Sequence, residues 1–187
     1  MMFRVLATIT SLLAIAIVAT SISMAQEKSN TFQSGEAIPE FGKIAKVQSD
    51  VDIPNDVVLK VRFDVARQAE EDQISSTMES VARFINLHAA SGLPPNNLQI
   101  AIVLHGDAIM DVTQPGFYGI RHDGRKQASV DAVRSLHQHG VKFYVCGQSA
   151  AFHKVDKVNL LPVIKVAPSA MTMHAWLAEQ GYSLNPF

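Results

Sequence analysis

The sequence has almost no cysteine: Cys146 is the only one among 187 residues. A single cysteine excludes an intrachain disulfide framework and any zinc site built from several cysteines. Because there is no C-x-x-C pair, a dithiol redox cycle within one chain is excluded as well. The lone thiol is therefore either inert packing or the atom that carries the chemistry.

An excess of charge and several signature motifs are also missing. The net charge is −1, which offers no basic surface of the kind that binds nucleic acid. No G-x-S-x-G, P-loop or H-E-x-x-H is present, nor a G-x-G-x-x-G after the first strand, so hydrolase, nucleotidase, metalloprotease and dinucleotide functions lack support. Met171, Met173 and His174 would suit copper(I), but alternating methionines on a helix are more often core. We therefore predict no cofactor, no metal and no nucleic-acid partner.

Hydrophobic residues are abundant, at 48% of the chain, which excludes global disorder. Many of them stand at the start: residues 5–22 are almost wholly apolar or small, and Ser23-Met24-Ala25 places small residues before Gln26. This pattern predicts a secretory signal peptide over residues 1–25 and a periplasmic protein of 187 − 25 = 162 residues. The alternative is an uncleaved anchor, since about 18 apolar residues can just span a bilayer. Before cleavage, this segment is expected to be the protein's only contact with a membrane.

The mature chain begins with a polar, unperiodic stretch, residues 26–56, which predicts a flexible N-terminal arm. From residue 57 to 187, apolar runs alternate with segments of helical spacing, which predicts an α/β domain with a mostly parallel sheet of four or five strands. Residues 106–125 are rich in glycine and are expected to form a long excursion with at most a short helical turn. The predicted strands are 57–65, 98–104, 141–146 and 163–167, and the predicted helices are 74–89, 128–139, a short one after Ser149, and a last one capped by Ser169.

The carboxyl ends of the predicted strands carry the candidate site residues. Ligands of parallel sheets bind beyond these ends, and here they hold Asp64, His105, Cys146 and Ser169. Cys146 also precedes Gly147-Gln148-Ser149, which opens a helix, and exposed N–H groups at a helix start favour a thiolate. His105 is placed to donate or accept a proton. Both residues have a plain structural alternative, since free cysteines are often buried packing and a histidine can simply end a strand.

Several runs of the chain resemble the DsrE/DsrF-like family, which is related to sulfur relay. The most specific is Gly140–Ser149, ending in Val-Cys-Gly-Gln-Ser, and the closing run resembles the exported members of the group. The resemblance implies a flavodoxin-like three-layer α/β sandwich that assembles into homo-trimers or homo-hexamers. It also implies that Cys146 carries sulfur as a persulfide and exchanges it with partner proteins. The matching runs are Val81–His88, Val103–Ala108, Gly140–Ser149, Ser169–Thr172 and Gln180–Phe187.

The resulting hypothesis is a periplasmic sulfur carrier, related to sulfurtransferases, that holds sulfane sulfur on a single cysteine. Cys146 accepts the sulfur, His105 is the proton partner, and the backbone around Gly147, Gln148 and Ser149 stabilises the anion. Its partners are a protein sulfur donor or acceptor and other copies of the chain. The alternative is a non-catalytic oligomeric module for ligand binding or assembly, in which the thiol is buried and inert.

Overall fold

The structure, a computed structural model, describes residues 32–186, so the predicted signal peptide lies outside the described residues. The chain divides into two compact units. In the described part of the first unit, Gln33 and Ile44 form an antiparallel bridge through two backbone hydrogen bonds of 2.8 and 2.9 Å. The second unit contains the whole sheet. Within the described range, no helix is both long and apolar enough to cross a membrane.

Five parallel strands form one sheet. They are β1 (Leu59–Val65), β2 (Leu98–Leu104), β3 (Lys142–Cys146), β4 (Ile164–Ala167) and β5 (Ser183–Asn185), and their order in the sheet is β4-β3-β2-β1-β5. Strand β2 is the middle strand, and its last five residues are buried because helices cover both faces of the sheet. This burial explains its continuous apolar sequence.

Helices complete the three layers. They are α1 (Ser76–Ala90), α2 (Pro115–Arg121), α3 (Ser129–Gln138), α4 (Gly147–Phe152) and α5 (Ala170–Glu179), and three 3₁₀ segments are Pro95–Asn97, Gly106–Val112 and Lys157–Asn159. On one face of the sheet, Val81 and Ile85 of α1 and Leu136 of α3 belong to the larger apolar core. On the other face, Met173 and Leu177 of α5 belong to a smaller core over β2 and β4.

The predicted fold class, a three-layer flavodoxin-like sandwich with a parallel sheet, is confirmed. The expectation for residues 106–125 was wrong in one respect. This stretch forms a 3₁₀ helix, whose residues 108–112 are buried, followed by the two-turn helix α2. The 3₁₀ helix forms because its apolar side chains pack into the larger core, which outweighs the glycine content.

Residues 34–43, which belong to the predicted arm, pack against α1. The fully buried Asn86 side chain accepts a hydrogen bond from the Ile38 N–H at 2.8 Å. Its amide donates to the carbonyl oxygens of Ile38 at 2.9 Å and Gly42 at 3.0 Å. A short polar side chain thus satisfies several backbone groups that would otherwise be buried without partners.

Candidate functional site

Cys146 is the last residue of β3 and directly precedes α4. Because the chain turns from strand to helix at this point, the side chain stands at the carboxyl end of the sheet. The residue is only 6% exposed, yet it lines a surface cavity. The structure therefore places the thiol at the rim that the sequence predicts.

Two opposing effects set the pKa of the Cys146 thiol. Burial raises the pKa, because a low-dielectric environment disfavours the thiolate. Hydrogen bonds outweigh burial and leave the pKa below its ordinary value: the Ser149 hydroxyl, then the backbone N–H groups of Ser149, Ala170 and Gln148. Since Gln148 and Ser149 lie in the first turn of α4 and Ala170 begins α5, two helix N-termini favour the anionic sulfur.

Ser149 is held in position by the chain that follows β2. Its Oγ accepts a hydrogen bond from the Gly106 N–H at 2.9 Å, which leaves the hydroxyl hydrogen free for the sulfur. Gly106 has a φ of +53°, in the left-handed region. A Cβ at this position would lie 2.7 Å from the Ala66 carbonyl oxygen. Glycine is therefore required here for both backbone conformation and space.

Asp64, at the end of β1, binds two histidines. Its Oδ1 lies 2.7 Å from Nε2 of His174 and 3.1 Å from Nε2 of His105. Burial raises the pKa of Asp64, but hydrogen bonds and charge from the two histidines hold it below its usual value. Because an ionised carboxylate only accepts hydrogen bonds, both Nε2 atoms act as donors. The three side chains form a linked polar group beside the thiol.

The thiol and this polar group share one open cavity of about 480 Å³, here named the thiol cavity. Met171 and Leu184 give it an apolar wall, while Arg62 adds a positive charge. Such a cavity can admit the end of a partner chain or a small sulfur compound, present it to an activated thiol, and exchange protons with imidazoles. Its lining residues are Arg62, Asp64, His105, Cys146, Gln148, Ser149, Ser169, Ala170, Met171, His174 and Leu184.

The structure brings the five predicted site residues together at one end of the sheet, but the contacts that each makes differ. They are His105, Cys146, Gly147, Gln148 and Ser149. The backbone of Gln148 and both hydrogen-bonding groups of Ser149 act on the thiol. Gly147 instead permits close packing, since a Cβ there would lie 2.8 Å from the Ala167 carbonyl oxygen. The His105 ring lines the thiol cavity and is hydrogen-bonded to Asp64.

Arg62, Met171 and Leu184 line the thiol cavity without having been predicted as site residues. Two further residues outside the prediction, Ala170 and His174, contribute a hydrogen bond to the thiol and to Asp64, respectively. Both lie on α5, far from Cys146 in sequence. The capping signal at Ser169 does place the start of this helix at the strand-end rim. His174 is one helical turn after Ala170, so it faces the same direction. That spacing is a signal that would have found it.

A metal role for this cluster has no geometric support. Over residues 32–186, no group of three or more His, Cys, Asp and Glu side chains is arranged to hold a metal ion. The two histidines direct their Nε2 atoms at the Asp64 carboxylate. The arrangement is one of hydrogen bonds between ring and carboxylate.

Comparison with known proteins gives one family and a shared fold. The model of the DsrE/DsrF-like family matches residues 60–186. Protein MTH1491 of Methanobacterium thermoautotrophicum, a protein of unknown function, is 18% identical, with 69% of this chain and 99% of that chain covered and a TM-score of 0.50. The ychN protein of E. coli is 14% identical, with the same coverages and a TM-score of 0.49. No curated protein matches the chain.

Proposed function

We propose, since the chain belongs to the DsrE/DsrF-like family, that it is a sulfur carrier whose Cys146 accepts sulfane sulfur and passes it to a partner protein. The observation that carries this proposal is the thiol itself. It is the only cysteine, it lines a cavity, and four hydrogen bonds lower its pKa against the effect of burial. An inert packing cysteine has no need of such donors.

The proposed step is attack of the Cys146 thiolate on the outer sulfur of a donor persulfide, R–S–SH. A new S–S bond forms on Cys146, the donor S–S bond breaks, and its electron pair leaves on R–S⁻. The proton of the donor persulfide is transferred to R–S⁻, so the products are the Cys146 persulfide anion and R–SH. No external oxidant or reductant is consumed, and the reverse reaction loads an acceptor thiol.

The surrounding groups support both halves of this exchange. The hydrogen bonds from Ser149, Gln148 and Ala170 that stabilise the thiolate are also available to an anionic persulfide. His105 and His174 are imidazoles that line the thiol cavity, and Asp64 fixes the orientation of both rings. They would return the proton to the departing thiolate.

The direct test is the mass of the protein after incubation with a sulfane-sulfur donor. We expect a gain of one sulfur, ~32 Da, that dithiothreitol removes. Cys146→Ser is expected to show no gain. The same gain in Cys146→Ser would eliminate Cys146 as the carrier, and no gain in the wild type would eliminate the carrier function.

Alkylation distinguishes a carrier from an assembly module with an inert thiol. For the carrier, iodoacetamide should label Cys146 in the folded protein, and the rate should rise with pH through a midpoint below that of an ordinary thiol. For the inert alternative, labelling should begin only after unfolding.

The proposal includes export and assembly. A cleaved signal peptide would give a periplasmic protein beginning at Gln26, which the N-terminal sequence of the protein recovered from the periplasm tests. An intact N-terminus would show that the segment is retained. Light scattering tests the proposed homo-trimer or homo-hexamer, and a monomeric mass would contradict it.

A further inference from the structure

A second cavity, of about 450 Å³, lies where β1 connects to α1 and is here named the α1 cavity. Its wall is formed by residues 64–70 and 73–77. The chain order of the sheet reverses at β1, which lies between β2 and β5. In parallel sheets such a reversal opens a crevice at the carboxyl ends of the strands, where ligands bind.

The helix that begins at this cavity has no side-chain cap. Ser75 occupies the N-cap position of α1, but its hydroxyl makes no capping hydrogen bond. The first backbone N–H groups of a helix have no partner within the helix. Those of Ser76 and Thr77 therefore remain available, at the positive end of a 15-residue helix.

The Ser75 side chain is an independent indication of a ligand. The residue is only 3% exposed and lines the α1 cavity. Its hydroxyl has no hydrogen-bond partner among the side chains and backbone groups of residues 32–186. Within the described residues, the fully buried side-chain atoms without a partner are Arg62 Nε and Gln127 Oε1. The Ser75 oxygen therefore keeps an accessible side, which a ligand oxygen in the cavity can reach.

The charges that line the cavity limit what the ligand can be. Arg67 supplies a guanidinium, while Asp64 and Glu70 supply carboxylates. Arg67 and Glu70 have no ion-pair partner within the described part of the chain. The helix start and Arg67 favour an anion, but the two carboxylates oppose a second negative charge. A singly charged group fits this balance better than a phosphate dianion.

The segment that forms the cavity wall is held in place by hydrogen bonds to Asp111 and His122. The Ala69 N–H donates to Oδ2 of the buried Asp111 at 2.8 Å. The Gln68 amide lies 2.9 Å from Nε2 of His122. These bonds hold residues 66–70 in place, so the cavity is formed before a ligand enters.

We propose that the α1 cavity is a binding site for the carboxylate group of a small, singly charged organic acid. The Ser75 hydroxyl, the first N–H groups of α1 and the Arg67 guanidinium would hold the carboxylate oxygens. The site shares Asp64 with the thiol cavity, but the groups that would hold the carboxylate are not among those that contact the thiol.

The test is an NMR titration of the ¹⁵N-labelled protein with acetate at pH 7.5, with chloride replaced to keep ionic strength constant. We expect saturable shifts of the Ser76 and Thr77 amide signals, while the signals at the start of α5 stay fixed. Inorganic phosphate, mostly a dianion at this pH, is expected to bind several-fold more weakly than acetate. Cys146→Ser should titrate as the wild type does.

Two variants and a matched control locate the binding. Ser75→Ala removes the hydroxyl from the cavity and should lower the affinity for acetate about tenfold. Arg67→Gln should lower that affinity about threefold. Ser169→Ala removes the N-cap hydroxyl of α5 and should leave the titration unchanged.

Three results would overturn the proposal. The first is the absence of saturable shifts at Ser76 and Thr77 in the wild type. The second is unchanged acetate affinity in both Ser75→Ala and Arg67→Gln. The third is equal weakening by Ser169→Ala, which would show a general response to loss of a helix cap.

Discussion

The thiol cavity and the α1 cavity both include Asp64, yet their polar groups are arranged in opposite ways. In the thiol cavity, Ser169 caps its helix and Ser149 is bound by the Gly106 N–H. In the α1 cavity, Ser75 leaves its helix uncapped. The thiol cavity is thus organised by the protein itself, which suits covalent chemistry. The α1 cavity keeps its donors free, which suits a bound molecule.

The largest expected effect is at Gly106, which contacts Ser149 of the thiol cavity and Ala66 of the α1 cavity. Its N–H binds Ser149 on one side, and a Cβ would lie 2.7 Å from the Ala66 carbonyl oxygen on the other. Gly106→Ala adds left-handed strain to this close contact and should lower the free energy of unfolding by about 3 to 4 kcal/mol. Urea unfolding measures the loss.

Gly140→Ala is the matched control for that substitution. Gly140 also has a positive φ, +83°, but nothing lies within 4 Å of a Cβ built there. It should lose only about 1 kcal/mol, from backbone strain. Equal losses in the two variants would show that the close contact between a Cβ at position 106 and the Ala66 carbonyl oxygen costs nothing.

The next effect concerns Asp111, which supports the wall of the α1 cavity. Burial raises its pKa to about 6, despite the Ala69 hydrogen bond and the charge of His122. Between about pH 4 and pH 6 the folded protein then binds more protons at this group than the unfolded chain does. Its contribution to stability is therefore largest at low pH and falls as pH rises through this window, by up to about 3 kcal/mol.

Asp111→Asn isolates this contribution, because an amide keeps an acceptor for the Ala69 N–H without titrating. The free energy of unfolding of Asp111→Asn minus that of the wild type should increase from pH 4 to pH 7. Parallel pH curves for the two proteins would show that the Asp111 carboxylate is not penalised by burial.

The fold is predictable from the sequence because burial leaves a strong apolar pattern in β2 and α1. The placement of Cys146 and His105 at one rim is predictable as well, since parallel strands end together. Strand β5 is not predictable, because Ser183–Asn185 is three residues long and has no period. Helical spacing puts His174 on the same face as Ala170, but its bond to Asp64 depends on how α5 packs over the sheet.

A smaller effect is expected at Ser149, the main hydrogen-bond donor to the thiol. Ser149→Ala should move the midpoint of Cys146 alkylation to higher pH and slow the reaction near neutral pH about fivefold, as expected for one lost hydrogen bond. Ser149→Thr retains the hydroxyl and should stay near the wild-type profile. If Ser149→Ala keeps the wild-type pH profile, the backbone N–H groups alone stabilise the thiolate and the Ser149 hydroxyl does not contribute.

The smallest expected effect is the difference in stability lost on replacing the two N-cap serines, Ser169 and Ser75, by alanine. Ser169 Oγ accepts the Thr172 N–H at 3.0 Å, so Ser169→Ala should cost about 1 kcal/mol of unfolding free energy. Ser75→Ala removes no capping bond and should cost less than about 0.5 kcal/mol. Acetate should then stabilise the wild type and Ser169→Ala, but Ser75→Ala much less. If both alanine variants lose the same free energy without acetate, Ser75 is an ordinary cap in solution and its hydroxyl is not reserved for a ligand.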